Sequence, residues 1–202
     1  VVDGRVFVGT GDTGFSFSQV LRAESNAHLG LVRGLSWGTI YAFDAKTGKP
    51  LWTYGTRGEN MPSECYAAKT LFFGNGDGHI YALDPATGAL RWKTPIGGFD
   101  SMSSCTIDHG KVIAGFTDPN NLAAVDLHGG RLAWRATFPN VANTGMGDNS
   151  PTVDPANHEI IQVAVADARS DDGKSTVNTA VLGVDALTGA VEWKTLLGRG
   201  AT

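Results

Sequence analysis

Short runs of β-branched and aromatic residues, separated by glycine-rich turns, recur along the whole chain. In the clearest stretch the pattern predicts four strands over 63–67, 70–74, 79–84 and 89–94, the last following the turn Pro85-Ala86-Thr87-Gly88. The third is apolar on both faces, with Ile80 and Ala82 alternating against Tyr81 and Leu83. A sheet with one wet face alternates apolar with polar positions. Both faces of this sheet must therefore be covered.

The same pattern occurs four times. Four aspartates, Asp44, Asp84, Asp126 and Asp185, are each followed four residues later by glycine (Gly48, Gly88, Gly130, Gly189) and eight later by tryptophan (Trp52, Trp92, Trp134, Trp193). Successive aspartates lie 40, 42 and 59 residues apart. That spacing fits the blade of a β-propeller, about 40 to 50 residues, and exceeds the 33 to 34 of helical ankyrin or TPR units. The long last step holds an insertion. Blades stacked face to face around an axis give every interior sheet two neighbours, which accounts for strands that are apolar on both sides.

The repeat positions read as structural. Each aspartate is placed to accept backbone N–H groups in an Asx-type turn ahead of a left-handed glycine, with Thr47, Thr87 and Thr188 adding hydroxyl bonds and Gly129 standing in the third copy. Each tryptophan is expected to staple neighbouring blades, its N–H finding a backbone carbonyl. The residue two before each aspartate is small (Ala42, Ala82, Ala124, Gly183), which predicts room there for an indole from the adjoining blade.

Composition narrows the function classes. The 202 residues include 27 glycines, and the formal net charge is −4 with no Lys/Arg cluster, so nothing favours nucleic acid, whose binding depends on neutralising phosphates. No apolar run approaches the ~20 residues of a membrane span. Cys65 and Cys105 occupy equivalent positions in adjacent units without metal or redox spacing; buried free thiols are expected rather than a bridge, because a bridge needs Cα atoms within about 7 Å.

The A-x-D-x-x-T-G-x-x-x-W signature resembles the tryptophan-docking repeat of the pyrroloquinoline-quinone (PQQ) type β-propellers, and the resemblance covers essentially the whole chain. It implies an all-β fold of about four four-stranded blades, half or a fragment of an eight-bladed ring, with blades over 1–56 (incomplete), 57–97, 98–138 and 139–202. Two branches share the signature. One is the quinoprotein dehydrogenases, which oxidise alcohols or sugars with PQQ and calcium at the propeller axis, and this is the favoured reading. The other is non-catalytic scaffolds of outer-membrane protein assembly, without cofactor. Both imply a periplasmic or cell-surface location. Half a ring leaves its end blades with bare apolar faces, so a completing partner is expected: the rest of a longer chain, favoured because both ends cut through a repeat, or a second copy in a homodimer.

Four further aspartates, Asp12, Asp77, Asp118 and Asp167, stand three residues after Gly9, Gly74, Gly115 and Ala164, a recurrence that reads as hairpin-turn chemistry. Asp12 differs: the stretch Gly9-Thr10-Gly11-Asp12 is similar to a G-T-G-N segment whose amide ligates calcium in alcohol-oxidising quinoproteins, which makes Asp12 the metal candidate. Trp37, the non-repeat tryptophan, is the candidate to stack on PQQ. The vicinal Cys-Cys pair and W-D-Y-D-like segment of the dehydrogenase branch are missing from this sequence, and no catalytic residue is assigned. Gly9-x-Gly11-x-x-Gly14 imitates a dinucleotide fingerprint but lacks the βαβ context. Gly173-Lys174-Ser175 fails the phosphate-loop spacing, and the acidic run before Gly173 lacks a closing glutamate. The segments 13–37 and 168–178 read as loop insertions suited to recognition. The five histidines show no metal-ligand spacing and read as surface or turn residues.

Overall fold

The tryptophan-bearing repeats fold as four separate antiparallel sheets. This computed structural model describes residues 1–11, 37–98, 100, 102–116, 121–138, 149–169 and 175–197. The first sheet contains β1 (Arg5–Gly11), β2 (Gly38–Asp44) and β3 (Pro50–Thr56). The second contains β4 (Cys65–Ala67), β5 (Thr70–Gly74), β6 (His79–Leu83) and β7 (Leu90–Pro95). The third contains β8 (Thr106–Asp108), β9 (Lys111–Phe116), β10 (Asn121–Asp126) and β11 (Leu132–Thr137). The fourth contains β12 (Thr152–Asp154), β13 (Glu159–Arg169), β14 (Ser175–Asp185) and β15 (Val191–Leu196). Within each sheet the strands follow chain order. Among the described residues there is no helix, and none long and apolar enough to cross a membrane.

The strands that are apolar on both faces are buried on both faces. In the second sheet Leu71, Phe73, Tyr81 and Leu83 pack with Ile40 of the first, while Phe72, Ile80 and Ala82 pack with Val112, Ala114, Phe116, Ala123 and Val125 of the third. The alternate residues of the third sheet, Ile113, Leu122 and Ala124, pack with Ile160, Ala164, Leu182 and Val184 of the fourth. The period-two alternation of strand side chains thus sends successive residues into two different cores. Between sheets the backbones approach along the first strands, β4 against β8 and β8 against β12, and between the second and third sheets also at β5 against β9. The stack therefore closes up along that edge.

Each repeat turn is built the same way. Asp44 Oδ1 accepts from the N–H groups of Lys46 and Thr47 and from the Thr47 hydroxyl, and Asp84 and Asp185 repeat the arrangement. Asp126 accepts from His128 and Gly129 N–H alone. The glycines that follow have φ of +69° to +76°, a conformation that other residues adopt at a steric cost. A Cβ on Gly88, Gly130 or Gly189 would also lie 2.6 Å from the indole of Trp52, Trp92 or Trp134 of the preceding sheet. Trp52 Nε1 donates to Pro85 O and Trp134 Nε1 to Ala186 O, each at 3.1 Å.

The small residues act differently from the expectation. Ala42, Ala82, Ala124 and Gly183 pair directly with Trp52, Trp92, Trp134 and Trp193 of their own sheet. They make room for the indole of the same blade, not the adjoining one. A register shift next to each of these pairs, as between Ala42 and Phe43, recurs in all four sheets. Such a bulge re-aims a side chain, here at the position that carries each tryptophan toward the next turn.

Two further expectations are corrected. Residues 168–169 and 175–178 of the segment 168–178 are strand: β13 and β14 pair from Glu159↔Asp185 to Arg169↔Ser175. The Ser175-Thr176-Val177-Asn178-Thr179 run is rich in β-branched residues that favour a pleated strand, so the hairpin is lengthened rather than interrupted, and Asp167 lies inside β13 instead of a turn. Cys65 and Cys105 form a disulfide with Cα atoms 5.8 Å apart. The convergence of the sheets along their first strands brings these equivalent positions within reach.

The turn aspartates give this fold a defined acid response. Hydrogen bonds to the ionised form hold Asp44, Asp84, Asp126, Asp154 and Asp185 below the ordinary range; the leading contributions come from Thr47, Arg91, Gly129, Asn157 and Thr188 respectively. A depressed folded-state pKa contributes stability that is present above the unfolded value and lost as pH falls through the folded one. The melting temperature is thus expected to be insensitive to these groups at neutral pH and to fall below about pH 4. Asp44→Asn should flatten part of that fall in a series of thermal melts between pH 7 and 2; an unchanged profile would refute the assignment.

Candidate functional site

Gly11 pairs with Gly38, Gly74 with Ile80 and Phe116 with Asn121, and these strand ends lie at one end of the sheets. The aspartate turns lie at the other end. At the first end the β3–β4 connection is clamped between two sheets: Asn60 N–H donates to Thr10 O, and Gly76 N–H donates to Glu59 O. The wedge buries polar groups. Glu59 and Asn60 are each 1% exposed and Asn75 is fully buried.

Asn75 organises this polar layer. Its Nδ2 lies 2.7–3.2 Å from four acceptors: Thr56 Oγ1, Gly58 O, Glu59 O and Asn60 Oδ1. Its Oδ1 accepts from Asp77 N–H. Between the second and third sheets, the buried Asp100 takes the corresponding place, accepting from Ser103 N–H at 3.0 Å. Its carboxylate occupies the space that a side chain on Gly74 would need. Buried carboxylates and amides of this density must be hydrogen-bonded to be tolerated, and here they hold the β3–β4 connection against the turn at Asn75.

Asp77 belongs to the same end but is not its turn former. Asn75 accepts the turn bonds, from Asp77 N–H through its side chain and from Gly78 N–H through its carbonyl. The Asp77 carboxylate instead accepts from Tyr81 Oη at 2.6 Å and sits 3.2 Å from His79 Nδ1. Tyr81 stacks on Phe73 with ring centroids 5.1 Å apart and lies beneath Lys93 Nζ at 5.4 Å. Burial, followed by the Asp77 hydrogen bond, pushes the Tyr81 hydroxyl far above its ordinary pKa. Tyr81 is therefore a fixed donor rather than a base. Burial also raises Glu64, next to the bridging Cys65.

Of the residues singled out by sequence for cofactor chemistry, Asp12 lies outside the described residues, as does Asp118. Trp37 stands just before β2 and is 73% exposed. The oxygens gathered around Asn75 accept from its amide. The buried layer of Glu59, Asn60, Asn75 and Asp100 was not visible in sequence. Its only signal is the Asn75-Gly76-Asp77-Gly78 turn, which a reader assigns to the hairpin alone.

Comparison with known proteins places this geometry. The family model described as outer membrane protein assembly factor BamB matches residues 1–108, more than half of the sequence. The chain belongs to the PQQ-type β-propeller repeat family. Among curated relatives, the tetrathionate hydrolase of Acidithiobacillus ferrooxidans is 33% identical over 99% of this chain and 40% of its own length. The dehydrogenase subunit of the quinone alcohol dehydrogenase of Gluconacetobacter polyoxogenes is 32% identical over 54% of this chain and 18% of its own length. The quinohemoprotein alcohol dehydrogenase from Comamonas testosteroni shares the fold, with a TM-score of 0.64 at 18% identity over 82% of this chain and 33% of that one. This PQQ-type repeat chain thus spans well under half the length of each of these three proteins.

Proposed function

We propose that this chain is the repeat segment of an exported propeller enzyme that hydrolyses tetrathionate. The observation that carries the reading is the 33% identity to a tetrathionate hydrolase along 99% of the chain, where the quinone alcohol dehydrogenase aligns over 54%. Because the chain spans 40% of that relative, the activity belongs to a closed ring. The bare faces support this: Val191, Trp193, Leu196 and Leu197 at one end of the stack and Val8 in the first sheet are 39–61% exposed apolar groups in need of a neighbour. The rest of a longer chain supplies it in this reading, and a second copy is the alternative.

A second reading, a PQQ- and calcium-dependent alcohol or sugar dehydrogenase, draws on the quinoprotein relative and on the Gly9-Thr10-Gly11-Asp12 stretch, with Asp12 and Trp37 as ligand and stacking residue. A cofactor-free periplasmic scaffold is the third, supported by the family model. Two assays on the ring-closed protein separate them. Disappearance of tetrathionate without added quinone, followed by anion chromatography, is the expected result. Alcohol-dependent dye reduction after addition of PQQ and calcium, with tetrathionate untouched, would replace the first reading by the second. Inactivity in both assays would leave the scaffold.

A further inference from the structure

At the end of the sheets opposite the Asn75 layer, two hairpin turns from different sheets meet. The β8–β9 turn contributes Asp108 and His109, and the β12–β13 turn contributes His158. The two imidazole rings are edge to face, with centroids 4.2 Å apart and planes at 86°. His109 Nδ1 lies 2.6 Å from Asp108 Oδ2. One ligand atom from each of the three residues can be chosen so that all lie within 4.8 Å of one another, and among the described residues no other group of three His, Cys, Asp or Glu does so.

The turns do not need these side chains. The two-residue β8–β9 loop, His109-Gly110, has φ of +42° and +70°, and the equivalent β4–β5 loop uses Ala68 and Lys69 at +47° and +55°. Loops of this shape favour asparagine or glycine, and the equivalent loop of the second sheet folds with alanine and lysine in these positions. His158 likewise sits at φ +57°, in the last position before β13. Two imidazoles are thus placed at left-handed positions that face each other across a sheet boundary, with a carboxylate that is 7% exposed beside them.

We infer that Asp108, His109 and His158 form a binding site for a divalent transition metal, of which zinc is the type, clipping the third sheet to the fourth. Two imidazole nitrogens and one carboxylate oxygen are a borderline donor set that suits zinc, nickel or copper and not calcium or magnesium. A tetrahedral ion about 2.0–2.1 Å from its ligands sets them about 3.3 Å apart, so the present spacing of up to 4.8 Å closes by side-chain rotation. Water completes the coordination. The contact between Asp108 and His109 Nδ1 either passes to the metal or stays as the outer bond that orients a ligating imidazole through its other nitrogen; in both cases the carboxylate strengthens the site. The nearby Asp185 is occupied by its own turn, with Leu187 and Thr188 donating to its Oδ1.

The site stands apart from the proposed hydrolysis, and its test does not read activity. Tag-free protein cleared of metal with a chelator is titrated with Zn²⁺ by calorimetry and with Co²⁺ by visible absorption. One equivalent per chain and the intense d–d bands of tetrahedral cobalt are expected. His109→Asn and His158→Asn keep residues that tolerate the left-handed turn, so both variants should fold with an unchanged circular dichroism spectrum and lose binding at least tenfold. Asp108→Asn should weaken binding about 10- to 100-fold, the range known for residues that orient or support metal ligands, and His128→Asn should bind as the parent does. Absence of one-to-one binding in the folded parent, or undiminished binding in the folded double histidine variant, would overturn the proposal.

Discussion

Replacement of Trp134 by alanine is expected to destabilise the protein by about 3–5 kcal/mol, the range for large-to-small changes of a buried aromatic residue. The indole is 8% exposed and sits in the core shared by the third and fourth sheets, with Phe138, Ile160, Leu182 and Val184. Its removal opens a cavity between two rigid sheets and leaves the Ala186 carbonyl without the donor it now has. The control is Trp193→Ala, the same repeat position in the last sheet. Trp193 is 39% exposed and its Nε1 turns back to Glu159 of its own sheet. In this chain alone that change should cost well under half as much, in urea unfolding followed by tryptophan fluorescence and circular dichroism. In a ring-closed form, where a further sheet would cover Trp193, the two costs should converge. Equal and small effects for both tryptophans would mean that the indoles do not hold the sheets together.

The second large effect concerns the bridge between Cys65 and Cys105. It closes a loop with a sequence separation of 40 residues, for which the chain-entropy relation gives a contribution of about 4 kcal/mol. A Cys65→Ser, Cys105→Ser double variant should lose stability of that order, and the parent protein measured in reductant should fall onto the curve of the variant. An unfolding midpoint that reductant leaves unchanged would show that the cross-link adds nothing to the packed sheets. The bridge ties the second sheet to the third at the edge where they come closest, so its loss should weaken the junction between those sheets before it affects the hairpins within them.

This bridge also shows where sequence reasoning stopped. The equivalence of the two cysteines in successive repeats was plain, but equivalent positions in face-packed sheets stand about 10 Å apart on average, beyond the reach of a disulfide. Only the convergence of the sheets along their first strands shortens that distance to 5.8 Å. The small residues two before each aspartate follow the same logic. Period and spacing place Ala42 near an indole without saying whose, and the bulged register identifies it as Trp52 of the same sheet.

The candidate sites divide along the same line. Asp77 was legible as a turn position, yet its partners Tyr81 and His79 become partners only through the fold of their own hairpin. The buried layer of Glu59, Asn60, Asn75 and Asp100 joins a connection, a turn and a loop that have no common pattern in sequence. The histidines illustrate the point most directly: His109 and His158 are 49 residues apart in the chain and 4.2 Å apart by ring centroid.

The unit of structure is legible along the chain: four strand-and-turn repeats, apolar on both faces, with aspartate, glycine and tryptophan at fixed spacing. Those features act within a few residues along the chain, through hydrogen-bonding turns and the two-residue period of a strand, so a linear reading captures them. The tertiary structure alone decided what each sheet presents to the next: the disulfide, the buried polar layer at one end and the Asp108–His109–His158 group at the other. These depend on how far and at what angle successive sheets stack, a quantity set by the packing of whole faces and not by any one stretch of residues.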